Sequence, residues 1–187
     1  MRNGIFTLES GLGLTAPRKV IVLAALALLA ILTYLPFIHL PALQDDYLQR
    51  NLAERYGPPS GWGELLHDPL YRCRATSILM TAATIHLFGP SVPVMNASTI
   101  AVHAINVILI GLLGCCRWIG WPLSLAAAFV FAVGERHHEA VVWYASLHEP
   151  LVLLFILIAM LSLIRALEGG SRLWWAGVSL GWLLALA

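Results

Sequence analysis

Charged residues along this chain are spaced so that long apolar intervals lie between them. From Val20 to Ile38, "VIVLAALALLAILTYLPFI", 19 residues pass without a charge. A helix needs about 20 apolar residues to cross the hydrocarbon core of a bilayer, so this interval predicts a first membrane span. It is longer than the apolar region of a secretory signal, and no clean cleavage site follows, so it reads as a retained anchor. Residues 39–92 have a different pattern. Leu48 and Leu52 stand four apart in "DDYLQRNLAERYG", and Trp62, Leu65, Leu66 and Leu70 recur at nearly helical spacing. "ATSILMTAATIHLFG" is apolar but stops at Gly89-Pro90 before reaching span length. These patterns predict short helices lying on the membrane surface with the apolar side down.

Further apolar intervals predict a second span over Pro93–Cys115, a short third over Leu123–Val133, and a fourth over Pro150–Ile164. A fifth begins near Leu173 and is still apolar at Ala187. The expected architecture is all-α and integral to the membrane. It has about five transmembrane helices and a long outer loop of surface helices between the first and second. Residues 1–19 form a tail, 20–38 the first span, 39–92 the outer loop and 93–187 the further spans. An ending inside an apolar interval gives the expectation of a piece cut from a longer protein.

Composition agrees with a membrane protein. The chain is 59% hydrophobic and 11% charged, against about 25% charged residues in a soluble domain. The net charge of +1 says nothing about partners, and with no basic patch nucleic acid is not expected as one. Basic residues are arginine except Lys19, which together with the Ala and Leu content suggests a GC-rich bacterial genome and hence a bacterial inner (plasma) membrane. Three cysteines, two of them adjacent, form neither a disulfide framework nor a metal spacing.

Charge also sets an orientation. Arg2, Arg18, Lys19, Arg117, Arg165 and Arg172 fall in the tail and the short turns on one side, which basic residues mark as cytoplasmic. On the other side lie Arg50, Arg55, Arg72, Arg74 and Arg136, eight of the ten acids and six of the seven histidines. The ionisable chemistry is therefore expected on the outer face, with the N-terminus inside.

Three constellations on that face invite chemistry. Asp45 and Asp46 follow the first span. They suit a helix N-terminus, where Asp is favoured. They also suit a general base or a cation ligand, because adjacent carboxylates repel. Asp46 is the slightly preferred base, because it directly precedes Tyr47, an aromatic residue able to pack it at the interface. Arg72 and Arg74 either snorkel to headgroups or clamp a phosphate with their guanidinium forks. "GERHHEAVVWYASLHEP", residues 134–150, concentrates Glu135, Arg136, His137, His138, Glu139, Trp143, Tyr144, His148 and Glu149 between two spans. His138 and Glu139 are metal candidates, although zincin spacing is absent. Trp143 and Tyr144 read first as interfacial anchors. His103 and Asn106, three residues apart inside a span, read as helix–helix contacts. The Asn96-Ala97-Ser98 triplet matches an N-glycosylation acceptor but abuts the membrane.

Taken in order, these residues resemble the N-terminal half of the GT-C superfamily of membrane glycosyltransferases. The branch they look most like includes the protein O-mannosyltransferase-like TMTC proteins and their bacterial relatives. The matching positions are Asp45-Asp46 after the first span; Leu87-Phe88-Gly89, Pro93, Asn96, His103 and Asn106; then Phe131-Ala132, His138, Glu139-Ala140-Val141, Trp143, Ser146 and Glu149. The chain departs from the pattern where Arg72-Cys73 replaces Arg-Pro, Glu135-Arg136 replaces His-Pro, and His148 replaces an arginine. The resemblance implies a polyprenyl-phosphate-linked sugar as donor, inverting transfer on the outer face, and additional spans in a complete enzyme, so that this piece alone would be inactive. It implies that Asp45 or Asp46 deprotonates the acceptor while Glu139 orients the reacting groups. Arg72, Arg74, His138 and Trp143 would bind the substrate and offset the leaving phosphate's charge. The superfamily includes metal-dependent and metal-independent cases, so a divalent metal on Asp46, His138 and Glu139 stays open. The partners are then a lipid-linked sugar and membrane lipids, with the acceptor undefined. The competing readings are a degenerate, non-catalytic module that binds a lipid-linked sugar or a partner, and a transporter fragment.

The orientation is directly testable. In a background without native cysteines, a cysteine at position 60 or 147 should react with a membrane-impermeant maleimide in intact cells. Labelling of both sites only after lysis would reverse the topology.

Overall fold

The computed structural model describes residues 15–116, 118–135 and 138–187. Arg2, Arg117, Arg136 and His137 of the charge analysis lie outside the described residues. Those described fold into helices α1 (Ala16–Tyr34), α2 (Gln44–Tyr56), α3 (Trp62–His67), α4 (Ala75–Phe88), α5 (Val92–Leu112), α6 (Trp121–Val133), α7 (His138–Val142), α8 (His148–Leu167) and α9 (Arg172–Leu186), with short 3₁₀ turns between. Three segments are long and apolar enough to cross a membrane: Ala16–Phe37, Val92–Cys115 and Tyr144–Leu167. α6 and α9, at 13 and 15 residues, are only about 20 Å and 22 Å long, short of a hydrocarbon core of about 30 Å.

Boundaries follow local chemistry. α1 and α5 both start with a proline in their first turn, where the missing N–H costs nothing. α4 stops at Gly89, whose φ of 80° leaves the helical region. α6 starts after Gly120, with φ of 73°.

The core of the bundle is where α1, α5 and α6 cross. Leu26, Ala27, Ala30, Ala104, Val107, Ala128 and Ala132 pack there. In lipid there is no hydrophobic drive between helices, so close packing through small residues holds the crossing together. His103 fills the rest, its ring centroid 5.0 Å from that of Tyr34 and 4.9 Å from that of Phe131. Asn106 donates to the Pro150 carbonyl at 2.8 Å and so pins the start of α8 against α5. Both in-span polar residues stand at helix–helix contacts. α9 lies along α8, where a Cβ on Gly181 would come within 2.9 Å of the Phe155 carbonyl and of the Ala159 side chain.

The outer loop is a small second layer on one end of the bundle, and its apolar pattern is used differently from the expectation. Leu52, Tyr56, Leu65 and Ile78 form its core. Leu48, Trp62, Leu66 and Leu70 are exposed. Leu48 and Leu52 therefore do not share a buried face, because α2 is gripped by α4 along one side only. Leu147 is wholly buried, so Ser60, which is exposed, is the position that reports topology.

Asp68 closes the layer. Its Oδ2 accepts the Tyr56 hydroxyl at 2.8 Å, and its Oδ1 accepts the N–H of Leu70 at 2.8 Å and of Tyr71 at 3.2 Å. The Tyr56 hydrogen bond, followed by that from Leu70, lowers the Asp68 pKa below the ordinary carboxylate value. A group lowered on folding stabilises the fold above its unfolded pKa, and that contribution disappears as pH falls through the folded value. Amide exchange at Leu70 and Tyr71, taken relative to the intrinsic rate at each pH, should therefore accelerate in acid below about pH 3.9, the usual Asp value. In Asp68→Ala it should already be fast at neutral pH. Equal protection in the variant would show that the turn stands without Asp68.

Candidate active site

Three segments converge at the outer-loop end of α5: the first turn of α2, the stretch from α7 to Ser146, and the turn from Asp68 to Arg74. Asp46 joins the first two. It is the third residue of α2, and its Oδ2 reaches back to accept the Leu43 N–H at 2.7 Å, as a capping-box acid does. Its Oδ1 accepts the N–H of Ala145, 99 positions along the chain, at 2.8 Å. Asp46 is 6% exposed and Tyr47 58% exposed. Tyr47 therefore does not pack Asp46 at an interface; two backbone donors hold the carboxylate instead.

Two cavities flank this tie. The first, of about 390 Å³, is walled by Leu40, Pro41, Leu43 and Val142 and receives Asp46, Asn96, His138, Glu139 and Trp143. The second, of about 520 Å³, is more polar and receives Asp45, Gln49, Tyr71, Arg74, Trp143, Ser146, His148 and Glu149. Trp143 lines both and forms, with the Asp46–Ala145 bond, the partition between them.

Most of the anticipated residues therefore meet, but not in one chamber. Asp46, His138, Glu139 and Trp143 share the first cavity; Asp45 and Arg74 share the second with Trp143. Arg72 lines neither and is exposed. Arg72 and Arg74 belong to a 3₁₀ turn, in which side chains advance about 120° per residue, so positions two apart diverge, and only Arg74 lines a cavity. Asp45 and Asp46 separate for a similar reason, since neighbours on an α-helix point about 100° apart. Tyr144 is not an interfacial anchor. Its ring is buried, and its hydroxyl lies 3.0 Å from Thr81 Oγ1. Among the described residues no three His, Cys, Asp or Glu side chains are grouped to hold a metal ion. Asp46, His138 and Glu139 share a cavity without forming such a group.

The pieces are fixed by residues to which sequence reasoning gave no such tying role. Gln49 Nε2 donates to Ser77 Oγ at 3.3 Å and Thr81 Oγ1 at 3.2 Å. Ser77 Oγ donates to the Arg74 carbonyl at 2.9 Å, which holds the end of the arginine turn. Asn96 Nδ2 donates to the carbonyls of Ile38 at 3.1 Å and Leu40 at 3.3 Å and so anchors the chain that leaves α1. Thr99 Oγ1 lies 2.8 Å from the Val141 carbonyl. The available signal was the recurrence of Ser77, Thr81 and Thr84 at helical spacing inside an otherwise apolar α4. Phe37 holds His138 edge-on, with ring centroids 4.8 Å apart.

No protein-family model, curated protein or solved structure matches the chain.

The geometry divides the acidic pair into a buried tie and an exposed acid. Asp46→Ala removes two bonds to a charged acceptor, each worth about 1.5–3 kcal/mol. Asp45→Ala should stay within about 0.5 kcal/mol. Unfolding in mixed micelles, followed by tryptophan fluorescence, measures both. Equal effects would rule out the Asp46–Ala145 tie.

Proposed function

We propose that this chain is the donor-site end of a glycosyltransferase that takes a sugar from a polyprenyl-phosphate carrier and passes it to an acceptor on the outer face of a bacterial inner membrane. In this reading α6 and α9 complete a set of five spans, and the N-terminus is cytoplasmic. The observation that carries it is the apolar-walled cavity that collects Asp46, His138 and Glu139 from distant parts of the chain, beside a second cavity containing Arg74. A lipid-linked sugar phosphate needs that combination: a greasy wall for the carrier, a cation for the phosphate, and a carboxylate for the acceptor's proton.

In the proposed reaction the acceptor hydroxyl gives its proton to Asp46 and its oxygen attacks the anomeric carbon. The bond from that carbon to the phosphate oxygen breaks, and polyprenyl phosphate leaves with the electron pair. Arg74 offsets the growing charge. Glu139 and His138 orient the acceptor from the same chamber, and Trp143, which lines both cavities, stands where the two substrates meet. Asp46 suits the role because its carboxylate is already held in place and each oxygen keeps further lone pairs.

One observation favours the rival reading, a module that binds a lipid-linked sugar without turning it over. Both oxygens of Asp46 are already occupied by backbone N–H groups, which is sufficient reason for the residue to be present. The test uses membranes carrying the full gene product and a polyprenyl-phosphate hexose labelled in the sugar, with release of polyprenyl phosphate as the readout. Asp46→Asn should lower release about 10²–10⁴-fold, the usual cost of a lost positioned base. Glu139→Gln should cause a comparable loss. Arg74→Ala should raise the donor KM, and Arg72→Ala should leave it alone. Folding of each variant is checked by the micelle assay above. Photocrosslinking of the donor with no release in the parent protein would establish the binding module instead.

A further inference from the structure

A third hollow lies in the surface layer, and the proposed reaction does not use it. It is a groove of about 510 Å³ between α2 and α4, and none of its residues lines either of the two cavities. Its floor is made of small residues. Ala53 and Gly57 of α2 meet Ala82 and Ala83 of α4 there, and the helices approach so closely that a Cβ on Gly57 would come within 2.5 Å of the Ala82 side chain. Its walls are larger, with Leu79 and Ile85 on α4 and Trp62 opposite. The Trp62 indole N–H donates to the Gly57 carbonyl at 3.1 Å, which holds that wall in place. Glu54 and His86 are its ionisable lining groups, and Glu54 is paired with Arg50 at 3.0 Å.

The position of α4 brings this groove to the membrane surface, because α4 is tied at both ends to membrane helices. Three residues separate its last residue, Phe88, from α5, which belongs to the span Val92–Cys115. At the other end the tie is to α9. Gly177 of α9 faces Ser162, and Gly181 faces Ala159, so α9 returns antiparallel along α8 and reaches the surface layer. There the Ala187 carbonyl accepts the Thr76 N–H at 3.4 Å. α4, with 14 residues and a length of about 21 Å, therefore lies across the end of the bundle. Its sequence suits lipid: Ala75–Phe88 contains no Asp, Glu, Lys or Arg, and Leu79, Leu87 and Phe88 are exposed. α2, the facing wall, carries Asp45, Asp46, Arg50, Glu54 and Arg55. One uncharged wall and one charged wall match the polarity step at the edge of a bilayer, and Trp62 at the rim is of the residue type enriched at that level.

We propose that this groove holds one acyl chain of a phospholipid drawn from the leaflet next to the surface layer. Its shape selects the occupant. A helix about 10 Å across would fill 510 Å³ in little more than one turn, too short a contact for a docked segment. A straight hydrocarbon chain is narrower, and it gains along its whole length from a floor of Ala and Gly between apolar walls. The volume and the mostly apolar lining are those of a small-ligand site. The site is independent of the glycosyltransferase reading, so a failed transfer assay leaves it standing and its own failure leaves that reading untouched.

The experiment uses the full chain in nanodiscs of phosphatidylcholine that carries a diazirine midway along one acyl chain. Adducts formed on irradiation are mapped by peptide mass spectrometry. The parent should carry adducts on the groove residues Leu79 and Ala83, and also on Leu28 and Leu32 of α1, whose exposed side chains serve as the internal standard. Ala83→Trp places an indole in the trough. It displaces at least two methylenes from the apolar wall, so groove adducts should fall about tenfold relative to those on α1. Leu66→Trp, at an exposed position outside the groove, should leave them unchanged. If Ala83→Trp fails to fold, Ala83→Leu is read by the same criterion. A parent without groove adducts, or a folded Ala83→Trp with undiminished ones, overturns the proposal. Stronger labelling of the groove by a water-soluble diazirine than by the lipid does so too, because it places the groove in water. Polyprenyl phosphate that removes the adducts at amounts where unlabelled phosphatidylcholine does not would make the sugar carrier the occupant and overturn the phospholipid assignment. Disulfide-linked dimers through Ala83→Cys, in the background without native cysteines, would overturn it in favour of a second copy of the chain.

Discussion

The Asp46 carboxylate is the fastening on which the polar end of this molecule depends. One oxygen closes the start of α2 by accepting from Leu43, and the other accepts from Ala145 in the turn before α8. Beside it, the surface layer meets the bundle where Met80 of α4 packs against the cluster of Met95, Tyr144 and Leu151 and where the Tyr144 hydroxyl bonds Thr81. Two cavities exist because that bond and Trp143 stand between them. Its strength comes from its setting: a charge-assisted acceptor facing two backbone donors, on a side chain only 6% exposed, is worth more than the same pair in solution.

How much of this was legible in the sequence depended on what solvates each segment. α1, α5 and α8 could be read from composition because lipid imposes a length and an absence of charge that nothing else imposes. The in-span roles of His103 and Asn106 were legible for the same reason, since a polar group in hydrocarbon has to face protein. α6 and α9 are shorter than the rule requires, so length alone leaves them undecided. The surface layer was harder. Its apolar residues divide between a protein core and open surface, and the i, i+4 spacing of Leu48 and Leu52 does not say that only Leu52 meets α4.

At the site, the residue types were legible and their grouping was not. The sequence places Asp45 beside Asp46 and Arg72 near Arg74, and in both pairs the helical turn sends the partners to different places. Tyr144 looked like a belt residue next to Trp143. Its burial depends on Thr81, a contact between residues 63 positions apart. Local reading fails where a hydrogen-bond partner lies far along the chain, and the tying roles of Gln49, Asn96 and Thr99 were missed for that reason.

The amide of Asn96 has a practical consequence beyond the site it supports. It heads an Asn-Ala-Ser triplet, yet it is buried and both its donors are spent on the carbonyls of Ile38 and Leu40. An enzyme of the secretory pathway could modify it only before α1 and α5 have come together. If this chain is produced in a eukaryotic host, a heavier, sugar-bearing band therefore marks molecules that missed assembly, and the lighter band is the one to purify.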